Sequence, residues 1–217
     1  MKSVHVIISL MLFLTTYGFC QETLIEVRLY NTTKFFVRKR VTHPQAIAVV
    51  NDQSDMHLTI KKFVDPKTGK KIKDQQIPWA IEYADNKYLN MSYAGPFKTS
   101  NLFVKFTLTD RWSIVTIPEN ATKQVKNAGS QAYGALSADL YQNSRGWLDE
   151  KGVKHKIIYL DTYDIFKKGK NGPSNDSFRF LTYAILNKLL PKENGTKNAK
   201  EMSLEEVIST FDKLNQF

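Results

Sequence analysis

The sequence predicts an α+β, β-rich domain: an antiparallel sheet, sandwich or open barrel of about eight strands, with two C-terminal helices packed on it. Three observations predict it. Apolar and polar residues alternate with period two through the first two-thirds of the chain. Turn residues interrupt that alternation at short intervals, as in a serial meander. Two capped, apolar segments then close the chain.

The chain opens on a secretory leader, residues 1–20. Lys2 precedes an apolar run from Val6 to Leu14, which is too short to span a bilayer. Cleavage after Cys20 places Gly18 and Cys20 at the small-residue positions of the site. Two alternatives are lipidation at Cys20, which the bulky Phe19 disfavours, and an uncleaved anchor. Residues 21–217 then form one β-rich domain containing no cysteine, which excludes thiol chemistry, disulfides and cysteine-ligated metals. No second apolar stretch is long enough to span a membrane.

Strands are expected between residues 23 and 160. In "TLIEVRLY", Ile25, Val27 and Leu29 face one way and Glu26, Arg28 and Tyr30 the other. "HLTIKKFV" sets Leu58 and Ile60 opposite Thr59 and Lys61, and "PWAIEYAD" aligns Trp79, Ile81 and Tyr83. "YLNMSY" aligns Leu89, Met91 and Tyr93. "LFVKFTLT" and "RWSIVTI" flank a short turn at Asp110-Arg111. Gly69, after Asp65-Pro66, supplies the positive φ of a hairpin, and "WLDEKGVKHKIIYLD" turns at Glu150-Lys151-Gly152 into an apolar strand ending at Asp161. Helices are expected over 174–190, stopped by Pro191, and over 203–215, opened by the capping box Ser203 and Glu206.

Composition narrows the function. The chain carries a net charge of +10, from 25 Lys and 6 Arg against 21 acids. Export makes nucleic acid an unsuitable partner, so a glycan, an anionic envelope surface or a protein partner remains. Lysine in such excess over arginine also reads as a plain solvated surface. Lack of cysteine favours a bacterial periplasmic, outer-surface or secreted setting. Five Asn-x-Ser/Thr sequons, at Asn31, Asn90, Asn120, Asn175 and Asn194, point instead to a eukaryotic secretory route.

Chemistry-bearing motifs are sparse. His43, His57 and His155 stand apart, at no metal-ligand spacing, and no phosphate loop or serine elbow occurs, so neither metal nor cofactor is expected. The weak catalytic candidates are Asp161 and Asp164 at the end of an apolar strand, with His155 upstream, as in an acid–base hydrolase. The bland alternative is that Asp161 caps a turn. Residues 167–177, basic and glycine-rich, lead into a helix start that suits an anion, although Asp176 would repel one. The ligand-binding candidates are Trp147, Arg145 and Asn143, grouped around Gly146. They would offer stacking, a bidentate contact and hydrogen bonds, unless Trp147 tucks into the core. The expected function is a non-catalytic binding or structural module outside the cytoplasm, with an envelope hydrolase or a barrel carrier of an apolar ligand as alternatives.

Overall fold

A computed structural model describes residues 23–73, 78–91, 101–119, 146–161, 179–191 and 197–216. Ten strands and three helices occur among them: β1 (Thr23–Tyr30), α1 (Thr33–Val37), β2 (His43–Gln53), β3 (His57–Val64), β4 (Ala80–Tyr83), β5 (Asn86–Asn90), β6 (Leu102–Lys105), β7 (Trp112–Pro118), β8 (Trp147–Leu148), β9 (Lys154–Asp161), β10 (Arg179–Phe180), α2 (Tyr183–Leu189) and α3 (Leu204–Asn215). The expected β-rich α+β class, with antiparallel pairing and two C-terminal helices, matches this inventory.

The first six strands form a closed barrel in the order β1-β2-β3-β6-β5-β4, rather than a sandwich or an open barrel. Closure is made by β1, which pairs with β2 along its whole length and with β4 through Arg28, Leu29 and Tyr30. Register shifts near Val27 in β1 and near Val50 in β2 supply the extra twist that so small a barrel needs. Six strands leave an interior too narrow for more than side chains. Ile25, Val27, Leu29, Ala46, Ala48, Leu58, Ile60, Ile81 and Phe103 fill it, which leaves the carrier reading without a lumen. β2 escapes the sequence pattern because its Ala-Ile-Ala-Val-Val run is apolar toward both faces.

A second sheet, ordered β10-β9-β7 with β8 also on β9, lies between the barrel and the C-terminal helices. On one face Val115, Ile117, Ile158, Leu160 and Phe180 meet the outer wall of β4, β5 and β6. On the other, Ile114, Ile157 and Tyr159 meet Leu186, Leu204, Val207 and Phe211. A strand covered on both faces is apolar at every position, and Ile157–Leu160 is buried throughout.

The turn at Asp110-Arg111 joins the two sheets: β6 belongs to the barrel and β7 to the second sheet, with an antiparallel bridge from Leu108 to Ile114 across it. Two expectations need correction. Trp79 does not lie beside Ile81. It precedes β4 at a bend and joins the barrel's outer wall, while Ile81 points inside. The first C-terminal helix begins at Tyr183, not 174, because Phe180 pairs with Ile158 and Thr182 is the cap, its Oγ1 accepting from the Ile185 N–H at 3.3 Å. Residues 174–178 lie outside the described residues. Helix α3 follows its pattern closely, with the Ser203–Glu206 capping box formed and Leu204, Val207 and Phe211 buried.

Candidate functional site

Strand geometry separates the expected acid–base set. His155 and Asp161 are six residues apart on β9, roughly 20 Å along an extended chain. His155 Nε2 instead bonds Asp149 Oδ2 at 2.9 Å across the β8–β9 hairpin. Asp149 Oδ1 meanwhile accepts from the N–H groups of Lys151 and Val153. Burial pushes the Asp149 carboxyl up, but the hydrogen bonds from His155 and the two amides outweigh it and hold the group below its ordinary value. Asp161 lies at the opposite end of β9, beside Arg111 at 3.9 Å. Asp164 lies outside the described residues.

Trp147 is a core residue and not a stacking platform. Only 2% of it is exposed. Its indole N–H donates to Ala199 O at 2.9 Å, and the Tyr183 ring meets it edge-on at 5.1 Å. Gly146 is required for close approach: a Cβ there would lie 2.1 Å from His155 O. Trp147 is drawn inward because β8 is only two residues long and sits under α2 and the Ala199 turn. Arg145 and Asn143 lie outside the described residues, as does the 167–177 segment.

A relay absent from the sequence expectations occupies the β2–β3 turn. Ser54 Oγ lies 2.6 Å from His57 Nδ1, and His57 Nε2 lies 3.1 Å from Asp52 Oδ2. Ser54 Oγ also accepts from the Met56 and His57 N–H groups, so its own hydrogen is directed at Nδ1. That assigns the tautomer: Nδ1 accepts, and Nε2–H donates to the carboxylate. The wiring resembles that of a nucleophilic serine site, but the exposure is inverted. His57 is buried while the Asp52 side chain is 54% exposed and Ser54 is half-buried, so the carboxylate is the most exposed group of the three. The sequence signal was Asp-x-Ser-x-x-His within a single turn, too local a pattern to read without knowing that the hairpin closes on it.

A shallow cleft of about 190 Å³ lies on the barrel wall between β1 and the β4–β5 turn, lined by Glu26, Arg28, Pro44, Glu82, Tyr83 and Asp85. Glu82 at its centre is paired twice. Arg28 donates to Glu82 Oε1 at 2.9 Å, and the Tyr30 hydroxyl donates to Glu82 Oε2 at 2.7 Å. Burial first, and then that carboxylate, push the Tyr30 phenol well above its ordinary value. Among the described residues no three His, Asp or Glu side chains gather as metal ligands. Asn90, one of the sequon asparagines, is fully buried and donates to Pro78 O at 3.0 Å. Compared with protein-family models, curated proteins and solved structures, the chain has no match in any of the three.

Proposed function

We propose that this protein is an exported, cysteine-free domain with a non-catalytic binding or structural role in the cell envelope or extracellular space. One observation carries the non-catalytic part: the described groups suited to chemistry serve the fold. His155 closes the β8–β9 hairpin, His57 closes the β2–β3 turn, and Trp147 pins that hairpin to the Ala199 turn. The burial of Asn90 argues against a glycan at that one sequon, because a glycan on that side chain has no space in the folded β5.

Fractionation of the native source with intact-mass measurement tests the reading. The expected species starts at Gln21, leaving 197 of the 217 residues, and lies outside the cytoplasm. A cytoplasmic species, or one retaining Cys20 with added diacylglycerol mass, contradicts it. The Ser54–His57–Asp52 relay favours a hydrolase as the second reading. A fluorophosphonate probe separates the two: labelling of the native protein that disappears in Ser54→Ala overturns the non-catalytic role.

A further inference from the structure

The lysine excess looks dispersed in the sequence, yet the barrel gathers much of it. Strand β1 runs toward Tyr30, β2 returns from His43, and β3 runs back toward Val64, with Leu29 opposite His43 and Ile47 opposite Val64. This topology brings two segments distant in sequence, the 31–42 connection and the 65–73 hairpin, to one end of the barrel. The first carries Lys34, Arg38, Lys39 and Arg40 and no acid; the second carries Lys67, Lys70, Lys71 and Lys73 against Asp65 alone. All eight cations are exposed. Among the described residues of these two segments, eight cations stand against one acid, a net of +7. Asp65 accepts from the Lys67 and Thr68 N–H groups within its own turn. The β2–β3 turn, at the other end of those two strands, exposes Asp52 and Asp55.

We propose that this basic end docks on the anionic headgroups of a phospholipid surface, which names the partner and the contact face within the function proposed above. Six of the eight cations are lysines, point charges that suit a diffuse layer of anions better than a stereospecific phosphate pocket, where paired arginine donors are preferred. Phe35, half-buried between Lys34 and Arg38, adds an aromatic edge at the same place. An acidic polysaccharide fits less well. Sugar rings call for an exposed aromatic platform, whereas Trp79 and Trp147 are buried and Trp112 packs on Phe211.

The test is co-sedimentation of the natively purified protein with vesicles of phosphatidylcholine, alone or mixed with phosphatidylglycerol. Binding is expected only to the mixed vesicles and is expected to weaken as salt is raised. Neutralising Lys67, Lys70 and Lys73 to Gln should weaken it on the order of a hundredfold, at roughly fivefold per cation near an anionic surface. Neutralising Lys188, Lys200 and Lys213, exposed cations on the helical layer, to Gln makes the same change in net charge. That control should lose no more than about twofold. Equal losses in the two triple variants overturn the proposal, because net charge alone would then suffice. So does wild-type protein that ignores the mixed vesicles, or that binds only an acidic polysaccharide. A protein found in the cytoplasm would end the export reading and leave the vesicle result standing.

Discussion

Replacing Trp147 decides whether the β8–β9 hairpin is a recognition loop or a structural clamp. A tryptophan side chain buries about 200 Å², which at about 25 cal/mol per Å² corresponds to about 5 kcal/mol as an upper value. Partial collapse of the neighbours brings Trp147→Ala into the range of about 3–5 kcal/mol. That is a large share of a typical total stability of about 5–15 kcal/mol. Trp147→Phe retains an aromatic edge for Tyr183 but leaves the buried Ala199 carbonyl without its donor, so it should cost about 1–3 kcal/mol. Urea unfolding followed by circular dichroism measures both losses, with an unchanged slope confirming that stability alone has moved. A loss below about 0.5 kcal/mol for Trp147→Ala, the size of an ordinary surface change, would refute the clamp and return Trp147 to the surface.

Three further outcomes follow from single contacts. Lys39 sits at φ 53 just past α1, where the Lys39 and Arg40 N–H groups bond back to Phe36 O and Phe35 O. Glycine suits that left-handed position, so Lys39→Gly should stabilise by about 0.5–1 kcal/mol relative to Lys39→Ala, which removes the same charge and keeps the strain, both read by urea midpoint. Asn215 holds both outward backbone groups of Trp112, at 2.7 and 3.1 Å. Asn215→Ala should cost about 1–2 kcal/mol, and light scattering should show self-association as the β7 edge is freed. Glu206 is held below its ordinary 4.5, first by the Lys197 hydrogen bond and then by the Ser203 N–H, and Asp149 is also held low. Depressed carboxyl pKa values stabilise the fold fully above the unfolded values and lose that contribution as pH falls through the folded ones. The urea midpoint should therefore decline below about pH 4.5, and less steeply in Glu206→Gln.

Local signals were legible wherever neighbours in the chain suffice to satisfy the backbone. The α3 capping box, the positive φ at Gly69 and Gly152, and the stop before Pro191 all follow from contacts within a few residues. So did the inward set Ile25, Val27 and Leu29, because period-two alternation is a property of one strand. What failed were statements about partners. β2 shows no clean alternation, because Ala48, Val49 and Val50 are buried in succession. The helix expected from 174 started late because Phe180 had a strand to pair with. His155 and Asp161 belong to one short sequence motif, yet β9 is extended and sets them near its two ends.

The sequence by itself determined the β-rich class, the hairpin turns, the α3 capping box and the size of the positive charge, all set by residue type and short-range spacing. Only the tertiary structure decided that β1 closes a barrel on β4, that Trp147 turns inward, and that Ser54, His57 and Asp52 form one hydrogen-bonded chain. It also decided where the charge lies. Two basic segments more than twenty residues apart in sequence fall at one end because three successive antiparallel strands place alternate connections at the same end.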